Sequence, residues 1–314
     1  LVLILLLLIN HFFYRIFKVR NDGDSRYKFL TLNDYPGLIK KDVSVQSVYK
    51  VKLNGGVFFY KNKVKHHGVI IFYHGFLSGY VNYLNVINYF AKANFIVVAF
   101  DMYGNMTSEG KNMKGFAHGD KDNKRIIDFV KNNPELNQYP LFTLGHSWGA
   151  HVAITSLFHD DVAIKKVAAL SPFNSNVDVT YSTASGLKVF APLIYLLNLF
   201  KFGHESTYSV VGALKYTSAD VMIFCGGADE IIKPAYSYRQ YQKTKNKYQF
   251  DNVVINYYPN RKHFLYLSDR AEQYFTKEIS FPRSAPIDFA HLDYSLVNEI
   301  DEKILKEIVD FFLK

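Results

Sequence analysis

Ser147 stands in the run Gly145-His146-Ser147-Trp148-Gly149, a G-x-S-x-G pattern. Leu141-Phe142-Thr143-Leu144 before it reads as a short buried strand, and Ala150-His151-Val152-Ala153-Ile154 after it opens a helix. A serine at so sharp a strand-to-helix turn needs Gly145 and Gly149, because side chains there would collide. A hydroxyl is a poor nucleophile until a base takes its proton, and the base needs a carboxylate to fix its tautomer. Two downstream loops supply these groups. The apolar run 221–225 leads into Gly226-Gly227-Ala228-Asp229-Glu230, and the run 253–257 leads through Asn260-Arg261-Lys262 to His263. If both runs are strands of one parallel sheet, Asp229 and His263 lie on the same edge as Ser147. Glu230 competes with Asp229, which is preferred because its shorter side chain suits a turn. His66 and His67 precede a strand and belong to the opposite edge.

Attack by Ser147 would place negative charge on a carbonyl oxygen, which needs preorganised donors. One is the backbone N–H of Trp148, directly after the nucleophile. The other is expected from the loop Tyr73-His74-Gly75-Phe76, where Gly75 permits close approach and the Phe76 amide donates. His74 reads as a structural hydrogen-bonder beneath that loop.

Positioning these residues requires an ordered sheet. The runs 69–73, 95–100, 141–144, 167–170, 221–225 and 253–257 are apolar and of strand length. They alternate with helix-length segments such as 80–93, 120–132 and 148–158, which predicts a parallel sheet with right-handed crossovers. The runs 48–53 and 57–60 flank Asn54-Gly55-Gly56, a hairpin signal at one edge, making eight strands, mostly parallel. Leu296, Ile300, Ile304, Ile308 and Phe312 recur every four residues and predict a final amphipathic helix. The stretch 174–218 is too long for a plain connection. With its apolar segment 189–200, it predicts a small helical cap after strand 6.

The 314 residues suit one large α/β domain with an insertion, or at most two domains. The net charge of +9 is scattered, with no nucleic-acid signature beside it, and reads as a matter of solubility or of proximity to anionic lipid surfaces. The single cysteine, Cys225, excludes an internal disulfide and reads as a buried strand residue. There is no H-E-x-x-H or paired C-x-x-C spacing, so no metal or cofactor is expected. Residues 1–9 are uninterrupted aliphatics, followed by Phe12, Phe13 and the basic Arg15, Lys18 and Arg20. Nine residues are too few to span a bilayer, which takes about 20. With residues upstream, segment 1–20 reads as a membrane anchor or signal-like segment, the alternative being a cytoplasmic protein. Residues 21–47 read as a tether, and 48–314 as the catalytic domain.

Together these residues resemble the α/β-hydrolase superfamily, and within it the serine aminopeptidase (S33) and monoacylglycerol lipase-like branch. The resemblance covers about residues 45–314 and rests on His74-Gly75-Phe76, the Ser147 pentapeptide, Gly227-Ala228-Asp229 and His263-Phe264. Asp101-Met102-Tyr103-Gly104-Asn105-Met106-Thr107-Ser108 resembles that branch's D-x-x-G-x-G-x-S loop, with Met106 in place of the second glycine. The resemblance implies acyl transfer through an acyl-enzyme on lipid-like esters, such as monoacylglycerols or lysophospholipids. A serine aminopeptidase is the alternative; it would need acids for the substrate ammonium, and the cap offers Asp178 and Glu205. A degenerate, membrane-tethered binding module is the third reading, opposed by the intact Ser147, Asp229 and His263.

Overall fold

Val69-Ile70-Ile71-Phe72-Tyr73 is buried at every position, and so are Ile96–Phe100 and Leu141–His146. Strands apolar on both faces must be covered on both, which is the arrangement of a parallel sheet between helical layers. The computed structural model of the chain describes residues 11, 15–61, 65–160, 163–183, 189–280 and 286–314. The strands are β1 (Leu38–Gln46), β2 (Lys52–Tyr60), β3 (Val69–Tyr73), β4 (Ile96–Phe100), β5 (Leu141–His146), β6 (Ile164–Leu170), β7 (Asp220–Gly226) and β8 (Val253–Tyr258). They form one eight-stranded sheet in the order β1-β2-β4-β3-β5-β6-β7-β8. Only the β1–β2 and β2–β4 pairs are antiparallel.

The helices used below are α1 (Leu84–Lys92), α2 (Ala117–Asn132), α3 (Trp148–Thr155), α4 (Asn176–Thr183) and α5 (Ala191–Phe202). They continue as α6 (Val210–Leu214), α7 (Tyr238–Tyr248), α8 (Asp269–Glu278) and α9 (Glu302–Leu313). Alternate residues of each strand feed two cores. Val69, Ile71 and Tyr73 pack with Ile127, Val130 and Trp148 of α2 and α3. Ile70 and Phe72 pack with Leu84, Phe90 and Phe312 of α1 and α9. Phe142 and Phe312 stack with centroids 4.9 Å apart, closing that second layer.

Three sequence expectations are corrected. The stretch 21–47 is not a tether throughout, because 38–46 pairs along its whole length with β2. Its alternation around Val43 and Val45 suits an edge strand, and the lysines at 40 and 41 mark it as one. The hairpin turn accordingly lies at Ser47–Val51, where Ser47 N–H donates to the Val51 carbonyl (2.9 Å) and Lys50 adopts φ 61°. Gly55 and Gly56 are interior to β2; a Cβ on Gly55 would stand 2.3 Å from the Ala99 carbonyl oxygen, so the glycine serves close strand approach instead. The final helix begins only at Glu302. Asp301 caps it, accepting from Ile304 N–H at 3.0 Å, while Ile300 bridges to Leu267 and Leu296 sits in a separate helical turn.

Residues 171–219 carry α4, α5 and α6. On α5 only Ile194, Asn198 and Phe202 are buried, and Phe200 is 92% exposed. The apolar run 1–9 and residues 281–285 lie outside the described residues. Among the described residues no helix is long and apolar enough to cross a membrane.

Candidate active site

The carboxyl ends of β5, β7 and β8 bring three residues to one edge. Ser147 joins β5 to α3 with φ 57° and ψ −116°, a backbone conformation that L residues rarely adopt. Its N–H donates to the Leu170 carbonyl at 2.8 Å, anchoring the turn on β6. A Cβ on Gly145 would lie 2.2 Å from the Gly149 carbonyl oxygen, and one on Gly149 would lie 2.0 Å from that of Tyr73. Neither position accepts a side chain, which is why the two glycines flank the serine.

Asp229 follows β7, and His263 lies in the loop after β8. His263 Nδ1–H donates to Asp229 Oδ2 at 2.7 Å, with both side chains almost fully buried. The second carboxylate oxygen accepts from the Ile231 and Ile232 amides at 2.9 and 2.7 Å. Three donors therefore fix and aim the Asp229 carboxylate, and a proton held on Nδ1 leaves Nε2 as the nitrogen free to accept. Glu230, the competing carboxylate, is exposed.

Phe76 lies in the loop after β3, and Trp148 is the first residue of α3. Among the described residues neither amide donates to a carbonyl of the surrounding turns and loops. The Trp148 indole is fixed by Nε1–H donating to the Phe116 carbonyl at 3.0 Å. His74 is wholly buried; its Nδ1–H donates to the Gly75 carbonyl at 2.8 Å and its Nε2 accepts from Met102 N–H at 2.9 Å. It ties the β3 loop to the β4 loop, the structural role expected for it.

Three further residues escape sequence reading. Tyr83 hydroxyl accepts from Gly75 N–H (3.1 Å) and donates to His146 Nδ1 (2.8 Å). His146 Nε2–H then donates to the His263 carbonyl (3.0 Å), which Ser171 Oγ also bonds (2.7 Å). A continuous buried chain thus links the Phe76 loop, the residue before Ser147 and the His263 backbone. The β4 loop is pinned likewise. Asp101 accepts from Tyr80 N–H (2.9 Å), Thr107 N–H (3.0 Å) and Thr107 Oγ1 (2.6 Å). Met106, where a glycine was expected, holds φ 44°, kept there by its N–H to the Asn21 carbonyl (2.7 Å) and by Arg20 on its own carbonyl. The loop keeps its glycine-like turn at a strain of about 1 kcal/mol.

Buried histidines give the fold an acid limit. His118, packed against the Trp148 ring at 5.4 Å, has its pKa brought down to about 4 by burial. His74 and His146 are lowered in the same direction, again chiefly by burial. The unfolded chain binds these protons near pH 6.5 while the folded chain does not, so stability is complete above 6.5 and lost as pH falls towards 4. His118 alone accounts for about 3 kcal/mol of this loss. Urea midpoints measured between pH 7 and 4 are expected to fall steeply, and His118→Gln to flatten the fall. Equal slopes in the two proteins would contradict this assignment.

An eight-stranded sheet of this order, a strained serine elbow and a histidine–carboxylate pair at the same edge define a serine hydrolase of the α/β-hydrolase fold. Residues 64–199, which carry the elbow, match the family model described as serine aminopeptidase, S33. Among solved structures it resembles an esterase of Pyrococcus furiosus with a TM-score of 0.59, 23% identity, and coverage of 79% of this chain and 90% of that one. Acetyl xylan esterase 1 from Thermoanaerobacterium matches with a TM-score of 0.57 and 18% identity, covering 81% of this chain and 88% of that one. An acylaminoacyl peptidase of Pyrococcus horikoshii gives 0.57 and 14%, covering 74% of this chain and 39% of that one. Likeness at these identities establishes the fold. No curated protein matches the sequence.

Proposed function

We propose that the protein is a carboxylic ester hydrolase working through an acyl-enzyme on Ser147. His263 Nε2 takes the Ser147 proton as the hydroxyl attacks the ester carbonyl. Asp229 holds the imidazole in the required tautomer and stabilises the imidazolium, and the Phe76 and Trp148 amides receive the oxyanion. The alcohol leaves with the proton from His263, and water then repeats the sequence on the acyl group. This chemistry calls for no metal or organic cofactor. The observation that carries the reading is the 2.7 Å bond from His263 to a carboxylate already fixed by two amides, at the edge that bears Ser147.

Lipid-like esters are the proposed substrates, monoacylglycerols or lysophospholipids among them. The support is the apolar face that α5 leaves uncovered, with Tyr195, Leu196, Leu199 and Phe200 exposed. The segment 174–218 is read as the cap, and the apolar residues 1–9 as the means of membrane association. A p-nitrophenyl ester series from C2 to C16 tests this. Activity is expected to rise with chain length through the middle of the series; hydrolysis confined to acetate would contradict the lipid-like assignment.

The S33 family match favours aminopeptidase activity as the second reading. Holding a substrate ammonium needs an available carboxylate. Asp178 is engaged by Asn174 (2.7 Å), Ser175 (2.6 Å) and Gln240 (2.9 Å), and Glu205 faces Lys121 at 3.7 Å. The ester reading is therefore preferred, with an aminoacyl-naphthylamide panel as its check.

A further inference from the structure

A cavity of about 260 Å³ lies beside the candidate active site, with the ammonium-bearing Lys18, Lys114 and Lys201 and the amide of Asn112 on its wall. Phe17, Tyr49 and Phe202 complete the lining, and none of these side chains is acidic. The lining residue Phe17 also packs against the loop that carries Phe76. The Phe17 ring packs 5.2 Å from that of Phe76 and 4.9 Å from that of Phe116, and Phe202 belongs to the same cluster.

Three like charges sharing one cleft repel one another and focus a positive potential into it. Burial and the neighbouring Lys18 lower the affinity of Lys201 for its proton. Lys114 is held in place rather than swinging in solvent, its Nζ 4.4 Å over the Tyr49 ring and 5.1 Å from the Tyr103 centroid. A concave site with cationic donors, an amide and aromatic walls suits a tetrahedral oxyanion carried on a short organic group.

We propose that the cavity bounded by Lys18, Lys114 and Lys201 binds a phosphate group. Its source is either the polar head of the acylated substrate or a free phosphate compound. The substrate arm rests on the ester-hydrolase reading above and narrows it to phosphate-bearing monoacyl lipids.

The test uses the full chain and two matched esters, a neutral 1-acylglycerol and its 3-phosphate. The ratio of their kcat/KM values is expected to favour the phosphate ester about tenfold, the size of one or two charge-assisted hydrogen bonds. Lys114→Gln with Lys201→Gln is expected to bring the ratio to near unity, and the arginine pair at the same positions to keep it. Inorganic phosphate and glycerol 3-phosphate titrated by calorimetry separate the sources. Binding of either, lost in the glutamine variant, with no ester preference, assigns the site to a free phosphate compound. No preference and no phosphate binding, in a protein that still reacts with a fluorophosphonate, overturns the proposal. Failure to react with the fluorophosphonate or to cleave either ester overturns the hydrolase reading instead, and the phosphate titration still decides the cavity. If the glutamine variant fails to fold, competition in the unaltered protein decides: glycerol 3-phosphate is expected to inhibit p-nitrophenyl ester hydrolysis and glycerol is not, and equal effects count against the site.

Discussion

Ser147→Ala is expected to lower kcat/KM for p-nitrophenyl ester hydrolysis by about 10⁵-fold, the scale on which removal of a triad nucleophile acts. The turn that carries Ser147 is built by its neighbours, through Gly145, Gly149 and the bond from residue 147 N–H to the Leu170 carbonyl. Alanine keeps that N–H and removes only Oγ. Thermal stability is therefore expected to stay within about 1 kcal/mol of the parent, as for substitutions outside packing and capping sites. Steady-state kinetics with a calorimetric scan of both proteins checks the two parts together. Retained activity would show that another residue attacks the ester.

Asp229→Asn is expected to lower kcat by about 10⁴-fold with little change in fold, the loss that follows a wrong histidine tautomer. The reason is local. Asp229 Oδ1 accepts two amides, from Ile231 and Ile232, while Oδ2 accepts His263 Nδ1–H. Asparagine has one oxygen, and the two amides claim it. Its NH₂ then faces His263, Nδ1 becomes the acceptor, and the proton moves to Nε2, the nitrogen needed as base. Glu230→Gln, at the exposed neighbour, is expected to change kcat less than twofold, as surface substitutions rarely reach 0.5 kcal/mol. Comparable losses in both variants would remove Asp229 from its role.

The central strands and the three site loops were legible in the sequence because a strand buried on both faces leaves a continuous apolar run. The ends of those runs point to the loops that carry chemistry. Where burial is one-sided the signal weakens. The alternation of β1 is diluted by Lys40, Lys41 and Asp42, so an edge strand read as a tether. Asn54-Gly55-Gly56 has the composition of a turn, but its glycines answer the close approach of β4. In the final helix, a regular four-residue repeat ran on through Asp301, which is a cap. The Tyr83–His146–His263 chain was invisible for another reason. Its bonds join residues 63 and 117 positions apart, and no local pattern encodes contacts made only by the closed sheet.

The decisive measurement is intact-mass and peptide mapping of the full chain after reaction with a fluorophosphonate. One adduct per chain is expected, on the peptide containing Ser147, absent from Ser147→Ala and formed far more slowly in His263→Ala. No adduct, or an adduct that persists unchanged in Ser147→Ala, would contradict the assignment of Ser147 as an activated nucleophile.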